Sequence, residues 1–215
     1  LPRNGSFPQR TLGQVSILAL HYQGADVDPN VPILDLLIQD ANFHINKNWC
    51  TSPQVCHGYG IEYHYAADDD GIYQLEDETA VTWNDSNANV ITMALCCPRV
   101  GPNTPPGPKT MANVKAWLDW MCNDRPEIPA STKNVWGHGE LVEYGNSTSC
   151  PGGPLLAFAQ AYRAGTVQPP VPPAPSVNDQ LVTILSVVGD CTYKVPVNLV
   201  QIQVLVQQGK ALLGA

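Results

Sequence analysis

The sequence predicts an α/β fold, a central mixed β-sheet flanked by helices, with a short C-terminal appendage. Short apolar runs of strand length alternate with stretches of helical periodicity. One pair of runs is joined by an Asp-Gly turn. A proline-rich stretch then separates the final segment of the chain from everything before it.

A length of 215 residues suits one domain of ordinary size plus an appendage. Hydrophobic residues make up 44% and charged residues only 14%, a globular balance rather than a disordered one. The formal net charge of -8 argues against nucleic acid as a partner, because phosphate binding needs a basic surface. No apolar run reaches the ~18 residues of a membrane span, and no charged-then-apolar leader of a signal peptide is visible.

Residues 1–13 are polar and turn-rich and read as a surface arm. Val15 to Leu20 is the first core strand, closed by His21, and a loop rich in turn formers follows. Pro32 is placed to open a helix, whose apolar face is Ile33, Leu34, Leu37, Ile38, Ala41 and Ile45. His44 lies near that face and reads as a packed or rim histidine. Residues 46–59 form a loop in which Cys50 and Cys56 are close enough for a small disulfide. His57 has no neighbours at ligand spacing.

Gly60 to Leu75 reads as a hairpin turning at Asp70-Gly71. Strand alternation puts Tyr63 and Tyr65 on one face and Glu62 and His64 on the other. Residues 76–89 are acidic and polar around Trp83 and Asn84. Val90 to Cys97 is a further buried strand, with Cys96 and Cys97 on opposite faces. Met111, Val114, Leu118, Met121 and Cys122 mark a helix over Lys109–Asn123. A short strand, Asn134–Trp136, leads into the loop of His138, and Pro154–Arg163 is the last helix. The boundaries are therefore an arm over 1–13, a main domain over 14–166, a stiff linker over 167–176 and a tail over 177–215. Thirty-nine residues are few for an independent core, and the tail carries no motif.

Three residues stand out chemically. His21 ends an apolar strand, His138 follows a second strand, and Cys150 precedes Pro151 and two glycines. Singly, each has an ordinary reading: a lone histidine at a strand end is usually a satisfied rim residue, and a lone cysteine a small buried hydrophobe. Together they are two imidazoles and a thiolate, a set suited to Zn2+. Three protein ligands leave a fourth position open, the catalytic rather than the structural pattern. If Cys150 is a ligand, six of the seven cysteines remain, enough for up to three disulfides.

An apolar strand ending in His, a Tyr-His-Tyr segment followed by Asp-Gly, a later Gly-His and a Cys-Pro-Gly occur here in one order. In these landmarks, over about residues 14–165, the chain resembles the zinc-dependent N-acetylmuramoyl-L-alanine amidases, a family that includes phage lysins and peptidoglycan recognition proteins. The resemblance implies a peptidoglycan-amidase-like sheet flanked by helices, Zn2+ on His21, His138 and Cys150, and bacterial peptidoglycan as partner. It implies hydrolysis of the amide between N-acetylmuramic acid and L-alanine, at the bacterial cell wall, by a phage or prophage endolysin or a bacterial autolysin. Tyr63 matches the tyrosine these amidases place beside the metal, and Thr148 falls where relatives carry Lys or Thr. Trp83 and Asn84 correspond to substrate contacts, although many relatives carry His where this chain has Asn84.

Other departures exist. One branch of the family carries a catalytic Glu near the end of the Val90–Cys97 strand, and this chain has none there. Relatives often read Gly-His-Arg where this chain reads Gly137-His138-Gly139. The step from His138 to Cys150 is also longer than usual and reads as an insertion at the groove rim. Glu140 and Glu143 read as solvated loop acids. The competing reading is a non-catalytic peptidoglycan-binding module, against which the retained Cys150 argues.

Overall fold

The computed structural model describes residues 1–24, 26–28, 30–48, 57–101 and 104–167. The expected small loop of Cys50 and Cys56, most of the linker and the whole tail lie outside the described residues.

Five strands form one mixed sheet: β1 Ile17–Tyr22, β2 Tyr65–Ala67, β3 Ile72–Gln74, β4 Thr92–Cys97 and β5 Val135–Gly137, in the order β3-β2-β4-β1-β5. β1 runs parallel to both β4 and β5, and β2 runs parallel to β4. Only the hairpin pair β2 and β3 is antiparallel. Among the described residues three helices cover the sheet: α1 Ile33–Asn46, α2 Pro108–Asn123 and α3 Gly153–Arg163. The predicted α/β class, with a mixed sheet between helices, is the one observed.

Packing on two faces explains why the central strands read as unbroken apolar runs. All six residues of β1 and all six of β4 are buried. Leu18, Leu20 and Tyr22 of β1, with Met93, Leu95 and Cys97 of β4, meet α2 and α3 through Val114, Trp117, Leu118, Met121, Leu155, Ala159 and Tyr162. On the other face Ala94 and Cys96 meet Leu37 and Ala41 of α1. Cys96 and Cys97 thus take opposite faces, unpaired and buried, as alternation requires. His21 falls on the α1 face by the same alternation.

The strand boundaries differ from the sequence reading in ways that matter. β1 runs on through His21 to Tyr22, so His21 lies within the strand and not beyond its end. Residues 60–64 are not strand, and the hairpin is confined to 65–74. Tyr63 therefore joins the core on the α1 side, while Tyr65 joins the opposite core, so the predicted shared face fails. The turn is also shifted by one residue: the Asp68 N–H donates to the Gly71 carbonyl at 3.1 Å, enclosing Asp69 and Asp70, and Asp68 Oδ1 accepts the backbone N–H groups of Asp70 and Gly71.

Helix α1 begins at Ile33 with Pro32 as its cap residue. Its buried face is Leu36, Leu37, Asp40, Ala41 and His44, while Leu34 is 58% exposed. The face is rotated from the apolar prediction because its inner side also borders a polar cavity. Helix α2 opens on Pro108, and Asp69 from the hairpin turn accepts the Thr110 backbone N–H at 2.9 Å, satisfying a donor the helix start leaves open. The N-terminal arm is more than a surface strap. Phe7 and Arg10 are buried, and the Arg10 guanidinium donates to the carbonyls of Asn89, Val90 and Thr92. No helix among the described residues is long and apolar enough to cross a membrane.

Trp117 is the largest fully buried side chain among the described residues and bridges α2 to Tyr65 of the sheet, with ring centroids 5.6 Å apart. Trp117→Ala is expected to cost about 3–5 kcal/mol of stability, the usual loss for a buried aromatic. A urea midpoint shifted by the equivalent of less than about 1 kcal/mol would show that this core does not hold α2 to the sheet.

Candidate metal centre and substrate cleft

Parallel strands β1 and β5 deliver two histidines to the same end of the sheet. Leu20 of β1 pairs with Gly137 of β5, so His21 and His138 each follow directly from a paired position. Their rings stack with centroids 4.5 Å apart. Cys150 arrives from the loop before α3, its Sγ 3.7 Å from His21 Nδ1 and 3.4 Å from the Tyr22 backbone N–H. One donor atom each from His21, His138 and Cys150 lies within 4.8 Å of the others.

Bond lengths of about 2.3 Å to sulfur and about 2.0–2.1 Å to nitrogen put sulfur and nitrogen on a tetrahedral Zn2+ roughly 3.5 Å apart. The 3.7 Å between Cys150 Sγ and His21 Nδ1 fits that spacing. The donor set, two imidazoles and one thiolate, fits zinc chemically as well.

Each histidine has its other nitrogen engaged. His21 Nε2 is 3.1 Å from Asp85 Oδ1, with both side chains almost wholly buried, although the contact lies off the line of a strict hydrogen bond. His138 Nε2 is 2.9 Å from Asn146 Oδ1. Carboxylate or amide partners of this kind orient histidine ligands. Neither Asp85 nor Asn146 was among the predicted site residues. Both are far in sequence from one or both histidines, and no local pattern marks them.

The charges in this buried cluster support one another. Burial alone would depress the His21 imidazolium, but the Asp85 carboxylate and the Cys150 sulfur outweigh it and raise its pKa to about 10. Burial pushes the Cys150 thiol up, yet the His21 charge and hydrogen bonds from His138 and His21 bring it down to about 7. Burial likewise opposes ionisation of Asp85, and the His21 imidazolium still holds it below the usual carboxylate range. Without a metal, protons on the imidazole side balance the anionic groups.

Tyr63, not His64, stands beside this cluster. Its ring centroid is 5.2 Å from that of His21 and 5.9 Å from that of His44. Burial, followed by the Asp40 and cysteine charges, pushes the Tyr63 phenol well above its ordinary pKa, so it keeps its proton at neutral pH. His64 points into the protein, where it contacts Arg10 and the carbonyl of Ala80 and accepts the Ala94 backbone N–H. Burial and the Arg10 charge lower its pKa to about 3.

The cluster floors a cavity of about 790 Å³. Gln39, Asp40, Phe43 and His44 of α1 form one wall, and residues 145–148 form another. His44, expected as a packed histidine, is buried on α1, lines this cavity and lies 3.5 Å from Asp40. Trp83 and Asn84 line a third side. Both are pinned by Glu62, which accepts the Trp83 backbone N–H at 2.7 Å and takes the Asn84 side-chain amide on its carbonyl. Asn84 Oδ1 is left without a partner. Thr148 lies on the rim, where its hydroxyl accepts the Cys150 backbone N–H at 3.2 Å.

Two departures in the His138 loop have physical reasons. Gly139 donates its N–H to the Cys150 carbonyl at 2.7 Å, and a Cβ there would collide with the carbonyl oxygens of Thr148 and Cys150. Glu140 is not a solvated acid. It accepts the Gly137 N–H at 2.8 Å and pairs with both terminal nitrogens of Arg163 on α3. Arg163 also covers the Trp136 ring at 4.3 Å.

Comparison with known proteins agrees with this architecture. Residues 13–153 match a family model described as N-acetylmuramoyl-L-alanine amidase. A sequence search of curated proteins finds no match. Among solved structures the chain is similar to Drosophila peptidoglycan recognition protein SD, with 17% identity, 74% of this chain and 87% of that one covered, and a TM-score of 0.58. Peptidoglycan recognition protein LE in complex with tracheal cytotoxin aligns at 18% identity over 75% of this chain and 87% of that one, with a TM-score of 0.60. The amidase LysC of Clostridium intestinale aligns at 15% identity over 78% and 96%, with a TM-score of 0.51. At such identities the likeness speaks to the fold. The family match spans well over half of the chain, and the chain belongs to the N-acetylmuramoyl-L-alanine amidase family.

Proposed function

We propose that this chain is a zinc-dependent hydrolase cleaving the amide bond between N-acetylmuramic acid and L-alanine in bacterial peptidoglycan. The observation that carries the reading is the complete His21, His138 and Cys150 set at the floor of a cleft of about 790 Å³. A buried cysteine sulfur facing two imidazoles favours metal chemistry over recognition alone.

Zinc bound there supplies Lewis acidity toward the scissile carbonyl and lowers the pKa of the attacking water. The protein supplies the rest. Asp85 and Asn146 hold the two imidazoles in place. Tyr63, kept protonated by burial, donates a hydrogen bond to the oxygen that gains negative charge as the carbonyl is attacked. It is an electrophilic partner, not a base. The Thr148 hydroxyl accepts from the Cys150 backbone and so can turn its own proton toward substrate as a second donor. Trp83 offers an aromatic wall, and Asn84 lines the cleft beside it as a substrate contact. The site of action is the bacterial cell wall. Its setting in this reading is a phage or prophage endolysin or a bacterial autolysin.

Cys150→Ser tests catalysis against mere recognition. Purified protein is expected to lose its bound zinc and its release of soluble wall fragments, while still sedimenting with insoluble peptidoglycan. Unchanged hydrolysis would remove the metal mechanism. Wild-type protein that sediments with the wall but neither holds zinc nor cleaves would favour the recognition module.

Tyr63→Phe separates the tyrosine from the metal. Zinc content should stay stoichiometric and kcat should fall about 10²–10³-fold, the usual loss of one oxyanion donor, with little change in KM. A kcat within a few-fold of wild type would leave Tyr63 as packing only. Gly139→Ala should weaken zinc binding without unfolding the domain, because the loop carrying Thr148 and Cys150 must shift to admit the methyl group. Wild-type zinc affinity in that variant would contradict the close approach.

A further inference from the structure

We infer that Asn146 is a positioning residue that fixes the tautomer of His138, so that both histidines present Nδ1 to the metal. The inference rests on the zinc reading above and extends it to a residue outside the predicted ligand set.

The argument begins with the amide itself. Asn146 is buried, at 5% exposure. Its Nδ2 faces two groups that only accept, the carbonyls of Asp85 at 3.2 Å and Leu141 at 3.4 Å. That fixes which end of the amide is nitrogen. Oδ1 must then face the other way, toward the Ser86 hydroxyl and His138 Nε2, each 2.9 Å away. An amide oxygen has no proton to give. His138 Nε2 must therefore carry the hydrogen, which leaves the Nδ1 lone pair as the one that can bind a cation.

His21 is arranged in the same sense. Its Nε2 meets the Asp85 carboxylate, and its Nδ1 faces Cys150 Sγ. Asn146 also bonds the backbone of Asp85, the residue that holds His21. One amide thus ties the support of one imidazole to the support of the other, across sixty residues of sequence.

The chain reaches this geometry through the long step between His138 and Cys150. A short helical turn, Val142–Tyr144, ends at Gly145, whose φ of +89° suits a residue without a side chain. The reversal brings Asn146 back beneath Leu141, where its own N–H meets the Leu141 carbonyl at 3.3 Å. The loop between His138 and Cys150 therefore delivers a residue to the metal centre as well as a rim to the cleft.

The test is zinc affinity by chelator competition, with the visible spectrum of the Co2+-substituted protein as a second readout. Thermal unfolding of metal-free protein controls for the fold. Asn146→Ala is expected to weaken zinc binding by about 10–100-fold and to alter the Co2+ spectrum. Asn146→Asp keeps an acceptor opposite Nε2 and should recover part of that loss. Ser86→Ala removes a bond to the same oxygen without touching His138 and should bind zinc nearly as wild type does. Wild-type affinity and spectrum in Asn146→Ala would overturn the inference. So would equal losses in the Ala and Asp variants that track a matching loss of metal-free stability, since that pattern means a structural role only. If wild-type protein binds zinc but these variants behave as wild type, the inference alone fails. If wild-type protein binds no zinc, the functional reading fails with it.

Discussion

The site depends on a buried imidazole that has work for both its nitrogens. His21 sits in an interior strand of a sheet covered on both faces, where an unpaired polar ring would be costly. Asp85 takes one nitrogen and the Cys150 sulfur faces the other. Each of these groups would be disfavoured alone in that setting: burial works against the charge on His21, on Asp85 and on Cys150. Together they form an arrangement in which a proton, or a cation in its place, is needed to balance two anionic groups. Zinc binding at such a centre is accompanied by proton release, so the metal and the solvent proton compete for one space.

Much of the remaining structure serves to keep that space in register. Parallel pairing of β1 with β5 sets His21 beside His138. The Glu140–Arg163 ion pair fastens the end of β5 to α3, while Gly139 allows the Cys150 loop to lie against the His138 turn. Glu62 anchors the opposite side of the cleft through the backbone of Trp83 and the side chain of Asn84. The site residues therefore come from strand ends and loops, and hydrogen bonds hold His138, Cys150, Trp83 and Asn84 to neighbouring segments. This is the arrangement that a fixed catalytic geometry requires.

The scaffold was largely legible because its signals are local. Continuous apolar runs found β1 and β4, helical spacing found α1 and α2, and residue type together with position at strand ends, before Pro-Gly and in the order of the family landmarks singled out His21, His138 and Cys150. What escaped was non-local. Asp85 lay in a stretch that reads as an acidic surface, and Asn146 in an apparent rim insertion, because their partners are 64 and 8 residues away. Glu140 looked like a solvated acid because Arg163 is 23 residues distant. Alternation misplaced Tyr65 relative to Tyr63 because residues 60–64 are not a strand. The apolar stripe on α1 missed Asp40, and the packed reading of His44 did not show that the helix faces a cavity as well as a core.

The account turns on whether this centre cuts one particular bond with a metal. Mass spectrometry of purified peptidoglycan digested by the protein, with and without a zinc chelator, addresses that directly. The account predicts free stem peptides with an L-alanine amino terminus, absent after chelation and restored by added Zn2+. The same peptides released at full yield under chelation, or a wall cut only within its glycan or its peptide cross-links, would contradict it.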